Sequence, residues 1–123
     1  MAARSEVLLV DDDPKVLRLL EATLRLKNYA VTKVETGAEA LDALRDGLPD
    51  LIISDLKLPD LSGFDLMHKV RSIDRAREIP FIFLSAHSEP RDVVQGLRLG
   101  ADEFLRKPFS IDELLVRVER VLE

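Results

Sequence analysis

The chain contains no cysteine, which excludes a disulfide framework, a thiolate metal site and a thiol nucleophile. Nor does any apolar run approach the length of a membrane span, and Met1-Ala2-Ala3-Arg4-Ser5 lacks the apolar core of a secretion signal. There is no excess of positive charge: 18 Lys and Arg against 23 Asp and Glu leave a formal net charge of -5. That balance argues against nucleic acid as a direct partner and suits a protein that holds cations. Nucleotide-binding signatures are missing too, with no Walker-type glycine-rich loop and no dinucleotide fingerprint. What is present describes an ordinary soluble, cytoplasmic globule: 123 residues, 46% hydrophobic and 33% charged. Such a length implies one domain, 1–123, with a real core. No repeat longer than a βα unit, no low-complexity segment and no linker interrupts it. It closes with its last helix, as either a free-standing domain or one cut from a longer protein would, and no output domain is expected within these 123 residues.

The organising stretch is Asp50-Leu51-Ile52-Ile53-Ser54-Asp55-Leu56-Lys57-Leu58-Pro59. Leu51 to Ile53 reads as a strand covered on both faces. Asp55 stands at its end, and Pro59, Asp60, Ser62 and Gly63 lead the chain away in a loop. Alone, such an aspartate reads more simply as the start of a turn.

Around it, strand-like and helix-like stretches alternate. Glu6-Val7-Leu8-Leu9-Val10 is a buried strand running into Asp11-Asp12-Asp13. Asp13 then suits a helix N-cap, with Pro14 at the first helical position. Val16, Leu17, Leu20 and Leu24 share one face of that helix, which stops near Lys27-Asn28. Tyr29 to Val34 reads as a second strand nearer the sheet edge, because it alternates and carries Lys33. Thr36-Gly37-Ala38-Glu39 matches a capping box, and Gly47 closes the helix it opens. Ser62-Gly63-Phe64-Asp65 begins a third helix with Phe64, Met67 and Val70 inward, ended by the polar stretch 72–78 before Pro80. Phe81-Ile82-Phe83-Leu84 is a continuous apolar strand finishing on Ser85. A fourth helix from about Pro90 is expected to bury Val93, Val94 and Leu97, with Gly100 past its end. Glu103-Phe104-Leu105-Arg106 is a fifth strand ending on Lys107-Pro108. The final helix has Ser110 and Glu113 as a capping box, then one stripe of Ile111, Leu114, Leu115, Val118, Val121 and Leu122.

Repeated βα units force parallel strands, right-handed crossovers and helices on both faces. The strand ends of such a sheet share one edge, so Asp11, Asp12, Asp55, Ser85 and Lys107 are expected to meet there. Each has a plain alternative: a cap, a turn, a solvated charge. Together they are harder to dismiss, since stability alone gives no reason to gather like charges. Three carboxylates repel unless a cation or proton intervenes. Hard oxygen ligands at a partly open site suit Mg2+. Lys107 supplies a point charge for phosphate, and Ser85 a hydroxyl donor. This is equipment for phosphoryl transfer to an aspartate, which needs alignment and charge neutralisation above all.

Val10-Asp11-Asp12-Asp13, Ser54 to Pro59, Ser85-Ala86, Gly100-Ala101-Asp102 and Lys107-Pro108-Phe109 stand in the order and at the spacing of a known family. Over nearly its whole length the chain resembles the CheY-like receiver domains of two-component response regulators. The resemblance implies an α/β, flavodoxin-like (βα)5 fold with strand order 2-1-3-4-5, and Asp55 as phosphoacceptor. It implies Mg2+ held by Asp12, Asp55 and the backbone carbonyl of Lys57, with Asp11 acting through water. Lys107 would pair with Asp55 or the phosphoryl group, and its bond to Pro108 would be cis. The implied partner is a histidine kinase or histidine phosphotransfer protein, with a downstream protein or output domain on the α4-β5-α5 surface and a monomer or phosphorylation-dependent dimer. Ser85 and Phe104 would be the switch residues, the ring of Phe104 turning inward on activation.

Some positions depart from the commonest members. Phe104 lacks the hydroxyl of the tyrosine often found there. Lys57 and His87 flank the site and are expected to alter the lifetime of the phosphorylated form, whereas His68 reads as a helix-surface residue. Two other classes stay open: a degenerate receiver acting as a constitutive binding module, and a small enzyme such as a flavodoxin-like carrier or an Asp-nucleophile phosphatase. Against the phosphatase, no second acid follows two residues after Asp55.

Overall fold

A computed structural model of the protein describes residues 4–86 and 89–123. Its order is β1 (Glu6–Val10), α1 (Pro14–Leu26), β2 (Ala30–Val34), α2 (Gly37–Asp46), β3 (Leu51–Asp55), α3 (Gly63–Arg71), a 3₁₀ turn (Asp74–Ala76), β4 (Phe81–Ser85), α4 (Pro90–Arg98), β5 (Glu103–Arg106) and α5 (Ile111–Val121). The strands form one parallel sheet in the order β2-β1-β3-β4-β5, the flavodoxin-like order expected from the sequence. Among the described residues, no helix is long and apolar enough to cross a membrane.

Side chains of successive strand residues point to opposite faces. Leu8, Val10, Ile52, Phe81 and Phe83 therefore share a core with Ala40 and Leu44 of α2 and Leu66, Met67 and Val70 of α3. Their neighbours Val7, Leu9, Leu51, Ile53, Ile82 and Leu84 pack with Leu17, Leu20 and Leu24 of α1 and Leu114 and Val118 of α5. Both faces being covered, β1, β3 and β4 can be apolar at consecutive positions. The β2 edge is half-exposed, and α1 guards it. Arg25 donates to the Val31 carbonyl at 3.0 Å, and Lys33 pairs with Glu21 at 3.1 Å.

The helix starts follow their capping residues. Asp13 accepts from the Lys15 N–H, Thr36 from Glu39, Ser62 from Asp65 and Ser110 from Glu113. At the α1–β2 turn Asn28 has φ 68°, a left-handed conformation that its short polar side chain tolerates.

Beyond the third helix one reading holds and another needs correction. The stretch 72–78 ends α3 at Arg71 as expected, and a 3₁₀ turn within it buries Ala76 in the core. The correction concerns α4, which buries neither Val94 (47% exposed) nor Leu97 (48% exposed). Its buried residue is Gly96, with Val93 half-buried. A Cβ on Gly96 would stand 3.1 Å from ring atoms of both Phe64 and Phe104. The two rings fill the space between α4 and the sheet, so the helix turns its smallest residue inward and its aliphatic ones outward.

Candidate functional site

Strand register brings the site together. Val10 pairs with Ser54, Asp55 with Leu84 and Ser85 with Arg106, so the C-terminal ends of β1, β3, β4 and β5 form one rim. Asp11 and Asp12 follow β1, Asp55 ends β3, Ser85 ends β4 and Lys107 follows β5. Carboxylate oxygens of Asp11, Asp12 and Asp55 all lie within 4.8 Å of one another. Lys107 reaches them with its Nζ 2.8 Å from Asp11 Oδ2 and 3.5 Å from Asp55 Oδ2. Ser85 is fully buried, and its carbonyl accepts the Lys107 N–H at 2.9 Å. The peptide bond between Lys107 and Pro108 is cis.

The acids differ in setting. Asp11 is buried, Asp55 is half-buried and Asp12 is exposed. Burial pushes the Asp11 carboxyl above its ordinary value, against the opposing pull of the Lys107 bond and the Asp13 N–H. For Lys107, burial works to lower the value, but the bonds and charges of Asp11 and Asp55 outweigh it and hold the ammonium above its ordinary value. The lysine is thus a cation across the physiological range.

With all three acids ionised, one ammonium leaves two negative charges uncompensated. Hard oxygen donors in excess, one of them solvent-facing, fit a divalent cation such as Mg2+, which favours carboxylates and retained waters. The Lys57 backbone lies close by, its N–H 3.4 Å from Asp55 Oδ1, and its side chain is exposed. His87 lies outside the described residues.

Phe104 is half-buried, its ring centroid 6.0 Å from that of Phe83, which in turn meets Phe64 edge-on at 5.4 Å. The ring also faces Gly96 of α4, where a Cβ would stand 3.1 Å from it.

Sequence reasoning overlooked two residues. Asp60 served only as a loop marker, yet its carboxylate accepts the N–H groups of Gly37 and Ala38, both at 2.9 Å. The strand order supplied a signal, because β1 alone separates β2 from β3 and α2 starts at the β2 end of the same rim. Gly96 offered a weaker one, a glycine in the interior of a helix that would favour alanine.

Known proteins bear on this geometry. A family model described as response regulator receiver domain matches residues 7–119. The transcriptional regulatory protein KdpE of Mycobacterium tuberculosis is 44% identical over 112 residues, covering 91% of this chain and 48% of that protein. GltR of Pseudomonas aeruginosa, also named a transcriptional regulatory protein, is 44% identical over 116 residues, covering 94% and 48%. The chain thus spans about half the length of these curated relatives. Among solved structures, the chemotaxis response regulator CheY4 of Vibrio cholerae superposes with TM-score 0.90 at 32% identity, covering 98% of this chain and 100% of that one. The non-phosphorylated HemR receiver domain of Leptospira biflexa gives 0.89 at 37% identity, covering 98% and 95%. With the family model matched from the first strand into the last helix, the chain belongs to the response regulator receiver domains, the switch modules of two-component signalling.

Proposed function

We propose that this receiver takes a phosphoryl group onto Asp55 from a phosphohistidine of a histidine kinase or histidine phosphotransfer protein, and that the modified form reshapes the surface of α4, β5 and α5. The observation that carries the reading is the approach of one ammonium, Lys107, to Asp11 and Asp55 at 2.8 and 3.5 Å on a rim where three carboxylates gather. A fold needs no such cluster for its stability.

Asp12, Asp55 and the Lys57 carbonyl would hold Mg2+ directly, with Asp11 contributing through water. The cation, when bound, offsets charge on the phosphoryl oxygens during transfer. An Asp55 oxygen stands in line with the phosphorus–nitrogen bond of the donor. The new oxygen–phosphorus bond forms as the phosphorus–nitrogen bond breaks, and the departing imidazole takes up a proton from solvent. Asp11 keeps the Lys107 ammonium beside Asp55 beforehand, so little reorganisation is needed when negative charge arrives.

The phosphorylated Asp55 adds charge and acceptor oxygens, toward which the Ser85 hydroxyl is drawn. That movement shifts the segment following β4 and drives the half-buried Phe104 ring further inward from its place beside Phe83. A groove of about 400 Å³, with Val93, Phe104, Arg106 and Phe109 in its wall, lies over β5 and changes shape with the ring. Its reader is a downstream protein, an output domain of a longer chain or a second copy of this one, a reading favoured by the regulator names of the longer relatives. Hydrolysis of the labile acyl phosphate resets the switch.

Incubation with a small phosphodonor and Mg2+ tests the reading. A phosphate-sized mass increase is expected, absent in Asp55→Asn and after chelation. Labelling that persists in Asp55→Asn moves the acceptor elsewhere, and turnover of external phosphoesters favours a phosphatase instead.

A further inference from the structure

We propose that Asp60 is a positioning residue for the cation site: it ties the loop bearing the Lys57 carbonyl to the start of α2, and cation affinity depends on that tie. The inference rests on the phosphoacceptor reading above for the identity of the site. Asp60 Oδ1 accepts the Gly37 N–H and Oδ2 the Ala38 N–H, each at 2.9 Å, across 23 and 22 residues of chain. These are two of the N–H groups that a helix start leaves without intrahelical partners, and a carboxylate is favoured there by the helix dipole.

Helix α2 already has a cap of its own. Thr36 Oγ1 accepts the Glu39 N–H at 3.1 Å, and Glu39 reaches back to the Glu35 N–H at 3.1 Å. What Asp60 adds to that local cap is therefore a link from the loop after β3 to the first turn of α2. Gly37 reinforces it, because a Cβ there would stand 2.4 Å from Leu61 Cδ2; the bare backbone lets Leu61 seat against α2.

On its other side the loop is anchored by its own backbone. The Leu58 N–H bonds the Leu61 carbonyl at 3.3 Å, Lys57 and Ser62 form an antiparallel bridge, and the Gly63 N–H bonds the Leu56 carbonyl at 2.7 Å. Asp55 to Gly63 is thus a closed turn whose tip, Asp60, is held by α2. Releasing the tip leaves the three carboxylates in place and frees the Lys57 carbonyl to wander from the position a cation requires.

Calorimetric titration of Mg2+ into the whole chain, in wild type, Asp60→Asn and Thr36→Ala, tests this. Wild type should bind one ion. Asp60→Asn sets an amide NH2 against a backbone N–H and should bind about tenfold more weakly, the lower end of what losing an outer partner of a metal site costs. Asp60→Ser, too short to reach α2, carries the same expectation if the first variant does not fold. Thr36→Ala weakens α2 but spares the tie, so it should bind as wild type does. Equal affinity in wild type and the folded Asp60 variant overturns the proposal, as does an equal loss in Thr36→Ala. Absence of binding by wild type overturns the site reading beneath it as well.

Discussion

The ammonium of Lys107 sits closer to Asp11 (2.8 Å) than to Asp55 (3.5 Å), so in this state it is chiefly the partner of a buried acid and not of the proposed acceptor. Removing it leaves Asp11 buried without its charge partner. Lys107→Ala should lose about 2–3 kcal/mol of stability in the absence of divalent cations, a range typical of losing one member of a buried charged bond. Urea denaturation in chelator measures it. A loss below half a kcal/mol would mean that the bond is not part of what holds the rim together.

The surplus of negative charge at the rim predicts stabilisation by a cation that binds only the folded state. At Mg2+ tenfold above its dissociation constant, the gain is about 1.4 kcal/mol, or about 5 °C in Tm for a domain of this size. A thermal melt with and without Mg2+ checks it. Asp12→Ala, which removes the exposed carboxylate, should abolish most of the shift; an undiminished shift would place the ion elsewhere.

Gly96 and Phe104 should be energetically coupled. Gly96→Ala gains helix propensity but crowds two rings at 3.1 Å. In the wild-type background the variant should be less stable by about 1 kcal/mol, because overpacking outweighs the propensity gain. In a Phe104→Ala background the same change should cost about 0.5 kcal/mol less, since one of the two crowding rings is gone while Phe64 remains. A double-mutant cycle from chemical denaturation reads the reduced penalty, and additivity would show that the ring does not rest against α4.

Acid should erase what Asp60 contributes. Backbone N–H bonds from Gly37 and Ala38 hold its carboxyl below the ordinary value of 3.8. A carboxyl lowered in the folded state adds stability that is fully present above its unfolded pKa and is lost as pH falls through the folded one. The stability difference between wild type and Asp60→Asn should therefore persist from neutral pH to about 4 and close below it. A gap that instead widens with acid contradicts the assignment.

Much of this was legible in residue order. Unbroken apolar runs at 7–10, 51–53 and 81–84 mark strands covered on both faces, and polar residues stationed where those runs stop mark one rim, because parallel topology aligns strand ends. The face of α4 was not legible. Val93, Val94 and Leu97 look like a core stripe, yet the position nearest the sheet belongs to Gly96, dictated by two rings distant in sequence. Asp60 was hidden for a related reason: its partners lie more than twenty residues upstream, on a helix with a sufficient local cap. Periodicity reports burial along one element; it does not report what another element brings to it.

The most direct test of the account locates the phosphoryl group itself. Treat the wild-type domain with a small phosphodonor and Mg2+, reduce the acyl phosphate with borohydride, and find the resulting homoserine by tandem mass spectrometry of the peptides. The account predicts homoserine at position 55 and at neither 11 nor 12. Homoserine at either of those positions, or at none, would contradict it.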